Sequence, residues 1–404
     1  MVFEDNPVGI KMGAVSTTDF MFAEAATPAA QTFEDAGELL RESARSILAQ
    51  CMAEMVGDVT VPLGWPGAEE WSVREFAAFV EGAADLIAPE RLEELVALVL
   101  DTQRDDGAFA DRITLDGIPV FGDTSSTDES GVLDLPQAVT NLVWHVSGAT
   151  GNTAFVRDAL DPLTSALKAL PRNPKTDLVF LDPDTARIGR TSLFTDKHGK
   201  CGDLLVASLL YVRACEQMGD LCQSAGEDGK SDMWRAEGQQ VAKRTRMYLW
   251  DKQVGLFRAA TAGCTIPDVW GSALAVYANA ATSGQLMSIG GFLKDNFEQV
   301  FRRGHMRHFA PYSPCDSASE AVGEGQNGGF WAFPAGWAAY SLNILAPDLA
   351  NQLLIDLANA HAADGVYQWI APSNLRFGAN HLASVALPLN GLRRIRDKRQ
   401  RLAL

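Results

Sequence analysis

Carboxylates are concentrated in the stretches that separate the predicted helices of this 404-residue chain. Glycoside hydrolysis needs one protonated carboxyl to donate to the leaving oxygen and a second, ionised one to activate water or attack. Loop acids can supply such a pair, although solvated loops and helix caps use the same residue types. The acids concerned are Glu69, Glu70, Asp105, Asp106, Asp111, Asp123, Asp128, Glu129, Asp134, Asp182, Asp184, Asp196, Asp316, Glu320 and Glu324.

Tryptophans fall in or beside the same stretches. An indole ring offers a platform for the apolar face of a sugar, and polar side chains at the rim bind its hydroxyls. Any single tryptophan serves equally well to pack a loop, but several on one predicted face favour a carbohydrate pocket. Six of the nine tryptophans are placed in this way: Trp65, Trp71, Trp270, Trp331, Trp337 and Trp369.

The histidines and cysteines do not have metal-ligand spacing. The six histidines form neither an H-x-x-x-H nor an H-E-x-x-H pattern, and the six cysteines contain no C-x-x-C. We therefore predict no metal site, no cofactor and no disulfide framework. With no signal peptide at Met1–Asp5, the chain is interpreted as cytoplasmic.

Helical spacing of apolar residues predicts about twelve helices. Their ranges are about 33–55, 72–87, 89–103, 133–149, 152–170, 202–221, 231–250, 269–281, 284–303, 334–345, 347–363 and 380–395. A capping box at Ser72–Glu75 and a proline at position 89 support two of the starts.

The links between these helices alternate in length, which predicts the architecture. Long links of similar character recur at about 60 residues, a weak internal repeat. Six helix pairs joined in this way fit a closed ring, an all-α (α/α)6 toroid with short β pieces in the long loops. We predict a leader over residues 1–32 and a single domain over 33–404. The long loops would gather at one end, over the mouth of the inner-helix funnel.

Composition excludes several classes of protein. Hydrophobic residues make up 47% and charged residues 21% of the chain, which is the globular range. The net charge of −17 argues against nucleic-acid and anionic-membrane partners, and no apolar stretch is long enough to span a bilayer. A homodimer is possible.

Four short segments resemble bacterial six-hairpin glycosidase-like proteins. Phe194, Thr195, Asp196, Lys200 and Gly202 match a Gly-Phe-Thr-Asp…Lys-Thr-Gly pattern, from which Leu193 and Cys201 depart. The other three segments begin at Leu133, Gln326 and Gly365, and they are similar to Leu-Asp-Asn-Pro-Gln, Gln-Asn-Gly-Gly-Tyr-Trp…Gly-Trp and Gly-Ile-Tyr-Glu-Trp. The resemblance implies the (α/α)6 fold of glucoamylases, trehalases and glucosidase I.

One departure from the family pattern concerns the chemistry. Gln368 stands where the resemblance leads us to expect glutamate, and an amide cannot ionise to act as a base. If that glutamate is catalytic in the relatives, this chain has altered chemistry, is an engineered inactive form or uses another acid. If it only binds a hydroxyl, glutamine serves nearly as well.

The hypothesis from the sequence is a glycoside hydrolase acting on a small glycoside or oligosaccharide by inversion, with its two carboxyls about 6.5–9.5 Å apart. Asp196 is the predicted general acid, and Glu320 or Glu324 is the predicted base. The predicted substrate-binding residues are Asp134, Trp65, Lys200, His198, Gln326, Asn327, Trp331, Trp337, Tyr367, Gln368, Trp369 and His381.

Two other classes of function stay open. A sugar epimerase or isomerase, or a lyase, on the same toroid would use histidines as acid and base, for which His198, His308 and His381 are candidates. A non-catalytic helical-repeat scaffold would have an open concave groove and no buried, perturbed acids.

Overall fold

The computed structural model describes residues 29–55, 59–122, 132–184, 199–310, 315 and 320–403. The described residues are mostly helical, with short strands in the links, as the sequence predicts. Their α-helices are α1 (Phe33–Cys51), α2 (Val73–Ala83), α3 (Pro89–Leu100), α4 (Leu135–Thr150), α5 (Thr153–Ala169), α6 (Leu205–Ser224), α7 (Asp228–Leu249), α8 (Val269–Tyr277), α9 (Ser283–Asp295), α10 (Phe297–Val300), α11 (Ala335–Leu342), α12 (Pro347–Asp364) and α13 (Ala383–Ala403).

The described strands all pair in antiparallel fashion, and most lie in the long links. They are β1 (Met52–Met55), β2 (Val59–Pro62), β3 (Glu70–Ser72), β4 (Arg112–Thr114), β5 (Pro119–Val120), β6 (Phe180–Leu181), β7 (Lys200–Leu204), β8 (Trp250–Asp251), β9 (Leu256–Phe257), β10 (Ala260–Gly263), β11 (Phe301–Arg302), β12 (His305–Arg307), β13 (Phe330–Trp331), β14 (Tyr367–Ile370) and β15 (Arg376–Ala379). The sheets join neighbouring links to each other: β3 pairs with β4, β7 with β10, and β13 with β14.

Six helices contact one another in a closed order. α2 packs on α4, α4 on α6, α6 on α8, α8 on α11, α11 on α13, and α13 packs back on α2. Nearly every residue of α2, α8 and α11 is buried, as expected for helices that are covered on all sides. We call these six the inner helices.

The remaining long helices cover the inner ones. α1 packs on α12 and α13, α5 on α4 and α6, and α7 on α6. α1 buries Phe33, Leu40 and Ile47 on one face, and it begins with a capping box in which Thr32 and Asp35 bond each other's backbone N–H. Each long link leads to the N-terminus of an inner helix, so the described strands of the long links lie at that one end.

Four details differ from the sequence prediction. The first helix ends at Cys51, where β1 begins, and the last runs to Ala403. The predicted capping box at Ser72–Glu75 is half formed: Ser72 accepts the Glu75 N–H, but the Glu75 carboxylate bonds to His381. Cys264 and Cys315 form a disulfide although none was predicted, because two links far apart in sequence meet there.

The described residues contain no helix long and apolar enough to cross a membrane.

Candidate active site

Arg74 lies in the first turn of α2 and bonds to Asp111 and Asp134, and we call these three residues the Arg74 cluster. The Arg74 guanidinium donates from Nε to Asp111 Oδ1 at 2.7 Å and from Nη1 to Asp134 Oδ1 at 3.0 Å. Asp134 directly precedes α4, but its side chain does not cap the helix. Its carboxylate forms a salt bridge with Arg74 instead. Because all three side chains are largely buried, removing one partner would strand a charge in a low-dielectric environment.

The next residue of α2 belongs to a second group of polar side chains, the Glu75 cluster of Glu75, His381, Gln368 and Ser384. Glu75 Oε1 lies 2.9 Å from His381 Nε2, and Ser384 Oγ lies 2.9 Å from His381 Nδ1. Gln368 Nε2 approaches the same His381 Nε2 at 3.3 Å. The structure thus brings Gln368 and His381, both predicted site residues, to a buried carboxylate that sequence reasoning had assigned to a helix cap.

A third cluster lies at the start of α8. The Lys200 ammonium and His308 Nε2 lie 3.8 and 3.4 Å from Asp268 Oδ2, and all three residues are buried. Burial alone would raise the pKa of Asp268, but the neighbouring His308 ring, the Lys200 charge and the Gly271 N–H hold it below its usual value. Burial lowers the pKa of His308 to about 4. Its ring is stacked between Trp270 and Phe309, so both of its faces are covered.

The link before β13 carries the two predicted bases. Glu320 accepts a hydrogen bond from the Gln326 N–H at 2.6 Å, so its carboxylate closes the turn that precedes Gln326. Glu324 is exposed on this turn. Asn327 is buried, donates to the Glu320 carbonyl at 2.9 Å and accepts from the Cys315 N–H at 3.2 Å. The disulfide partner Cys315 is therefore bonded to the loop that carries Glu320.

The tryptophans differ in how far their side chains are exposed to solvent. Trp65 is 48% exposed, whereas Trp71 and Trp270 are fully buried and pack inside the protein. Trp369 on β14 pairs with Trp331 on β13, and one face of its ring is covered by Phe377 at 4.0 Å. Trp331, Trp369 and the half-buried Tyr367 therefore lie on the strands next to Gln368.

A narrow cavity of about 60 Å³ runs between the inner helices from the Arg74 cluster. Arg74 and Asp134 line one end of it, Glu81 and Arg213 line the other, and Trp337 lies along its wall. Among the predicted site residues, Asp196 and His198 lie outside the described residues.

Solved structures with a similar fold include glycoside hydrolases. The GH63 mannosylglycerate hydrolase from Thermus thermophilus matches with a TM-score of 0.65 and 17% identity, over 87% of this chain and 99% of that one. A rhamnosidase from Klebsiella oxytoca matches with a TM-score of 0.64 and 15% identity, over 91% of this chain and 65% of that one. A GH78 rhamnosidase from Bacillus sp. GL1 has a TM-score of 0.59 and 15% identity, over 90% of this chain and 36% of that one.

No protein-family model matches the chain, and no curated protein sequence is significantly similar to it. The resemblance to six-hairpin glycosidases that the motifs indicate is thus confirmed by structural neighbours from GH63 and GH78, at the level of the fold.

Proposed function

We propose that this chain is a glycoside hydrolase with an (α/α)6 toroid formed by residues 33–404, acting on a small glycoside or oligosaccharide. The observation that carries the proposal is the closed order of six inner helices, with the described strands of the long links at one end, in a chain whose fold is similar to that of glycoside hydrolases. A scaffold with an open groove does not fit the contact between α13 and α2. The buried polar clusters at the start of the inner helices support a pocket at that end.

Asp196 is the proposed general acid, and the reaction is proposed to invert the anomeric centre. For the base, Glu75 joins Glu320 and Glu324 as a candidate. Its Oε1 is bonded to His381, and its Oε2 is buried without a hydrogen-bond partner among the described residues. A buried carboxylate oxygen of this kind favours a bound water, which is what a base must hold.

A second set of residues is proposed to bind the sugar. The hydroxyls and ring faces of the sugar would be held by Asp134, Gln326, Asn327, Gln368, Trp65, Trp331, Trp337 and Trp369. The proposed binding set also includes Lys200, His198, Tyr367 and His381.

The test is a screen of aryl and natural glycosides in which NMR identifies the cleaved linkage and the first anomer released. Asp196→Asn should lower turnover by about a hundredfold or more, because general acid catalysis contributes that much. Full turnover by Asp196→Asn would refute the acid assignment.

The base is identified by pH profiles of Glu75→Gln, Glu320→Gln and Glu324→Gln. Loss of the base removes the acidic limb of the kcat/KM profile, whereas loss of a residue that only positions a neighbour lowers the profile without changing its shape. Retention of the limb in all three variants would exclude all three carboxylates.

The cytoplasmic location, the absence of nucleic-acid and membrane partners and the possible homodimer remain predictions from the sequence.

A further inference from the structure

A second, larger pocket lies at the opposite end of the inner helices. It has a volume of about 750 Å³ and is lined by the C-terminal halves of α2, α4, α6, α8 and α13. Ligand sites in proteins are typically about 300–1,000 Å³. The described strands of the long links, with Gln368 and His381 beside them, are at the other end, so the proposed hydrolase activity does not use this pocket.

The floor of this pocket is a buried, fully bonded carboxylate. Glu81 accepts from Arg213 Nη2 at 3.0 Å, Asn141 Nδ2 at 2.9 Å and Asn390 Nδ2 at 2.8 Å. Burial would raise the pKa of Glu81, but the charge of Arg213 and its hydrogen bond outweigh burial and lower the pKa to about 2. The floor is therefore a fixed polar surface and does not itself require a ligand.

Two other polar atoms in the wall lack a partner. Gln217 is 7% exposed; its Nε2 donates to Asn141 at 2.6 Å, but its Oε1 is buried with no hydrogen-bond partner among the described residues. His145 Nε2 is likewise buried with no hydrogen-bond partner among the described residues. Buried polar atoms are nearly always satisfied in proteins, so these two indicate a group that bonds to them from the pocket.

The chemistry of the wall selects the kind of ligand. Four carboxylates and three guanidinium groups among the lining residues nearly cancel, which disfavours a strongly charged ligand. Burial lowers the pKa of His145 to about 4, so the imidazole is neutral near pH 7 and offers one donor and one acceptor. Gln217 Oε1 offers an acceptor. A ligand hydroxyl both donates and accepts, so it can bond to Gln217 Oε1 and to the His145 ring. Trp144 adds an indole whose N–H is already bonded to Asp220, which leaves its ring for apolar contact.

We propose that this pocket is a second binding site, which takes a neutral, hydroxyl-rich molecule the size of a mono- or disaccharide through Gln217, His145 and Trp144. The proposal does not rest on the hydrolase function, because it uses a different end of the molecule and no bond is broken there.

The test uses 19F NMR of the full chain labelled with 5-fluorotryptophan. Trp144→Phe identifies the Trp144 resonance, while Trp65 and Trp369 report on the other end. D-glucose, D-mannose, L-rhamnose and sucrose are the neutral probes, and inorganic phosphate is the anionic probe. We expect at least one neutral probe to shift the Trp144 resonance saturably, and phosphate to leave it unchanged.

Gln217→Leu should weaken the binding that Trp144 reports by about tenfold, as expected when a ligand loses one hydrogen bond in a buried site. Gln239→Leu is the matched control, because Gln239 is exposed on α7 and does not line this pocket. Should Gln217→Leu fail to fold by circular dichroism, His145→Phe takes its place. No shift of Trp144 with any neutral probe, a response to phosphate alone, or unchanged affinity in the folded variant would each overturn the proposal.

Discussion

Arg74 and Glu75 are neighbours in the first turn of α2, yet their side chains serve different contacts. Arg74 joins α2 to Asp134 at the start of α4, whereas Glu75 joins α2 to His381 just before α13. Successive helical residues point about 100° apart, so one dipeptide bonds to both flanking inner helices. Both clusters lie at the end where the long links meet.

Gln368 permits a test at the scale of one residue. We expect Gln368→Glu to give no gain in the turnover of glycosides, because the proposed base is another carboxylate and position 368 is proposed to bind a hydroxyl, which glutamine and glutamate can both do. The new carboxylate would lie beside His381 Nε2, which Gln368 now approaches at 3.3 Å. Steady-state kinetics on the substrate found in the glycoside screen would measure the change.

Gln368→Met is the matched control for this substitution, since it keeps a side chain of similar length that cannot ionise. It should show no gain in turnover. A gain of about a hundredfold in Gln368→Glu alone would contradict this prediction and place the base at position 368.

At the scale of elements, glycines allow α13 to approach both of its inner neighbours. A Cβ atom added to Gly82 on α2 would overlap the carbonyl oxygen of Ala386 on α13. Gly391 on α13 and Gly336 on α11 similarly face each other with no room for a side chain. Close approach of backbones requires glycine, so these positions fix how the last inner helix packs on the first.

Gly82→Ala should therefore lower the free energy of unfolding by about 3 kcal/mol, because the helices must separate to admit the methyl group. Gly291→Ala on α9 is the control: a Cβ there meets no atom within 4 Å. It should stabilise the protein by about 0.5–1 kcal/mol, since alanine favours the helix. Urea denaturation of both variants measures the difference, and equal effects would contradict the packing argument.

Helix positions could be predicted from the sequence because apolar spacing records which face is buried. The same reasoning stopped α13 near residue 395, since its charged last turns show no apolar stripe, although Arg399 bonds Asn343 and Asn351. It also missed the contact of Glu75 with His381 and the pairing of Cys264 with Cys315. Both depend on contacts between links that are distant in sequence, which local spacing does not encode.

At the scale of the whole molecule, polar groups collect at the two ends of the inner helices and apolar ones lie between. The narrow cavity along the inner helices is walled in the middle by Ala77, Ala78, Leu210 and Leu387. Buried polar groups are costly unless bonded, so each end needs its own network, around Arg74 and Glu75 at one end and Glu81 at the other.

Four buried histidines make the stability of the whole protein depend on pH. Burial lowers the pKa values of His145, His305 and His308 to about 4 and that of His361 well below its ordinary value of 6.5. Between these values the unfolded chain binds protons that the folded protein does not, so the free energy of unfolding falls as pH decreases from about 6.5 to about 4. Each histidine contributes a slope of up to about 1.4 kcal/mol per pH unit.

Urea denaturation across this pH range should therefore show a steep loss of stability, and His361→Leu should reduce the slope by about a quarter. The same variant should be no less stable near pH 7, because both ring nitrogens of His361 are buried without a hydrogen-bond partner among the described residues. An unchanged slope in His361→Leu would mean that this imidazole is protonated in the folded protein as readily as in the unfolded chain.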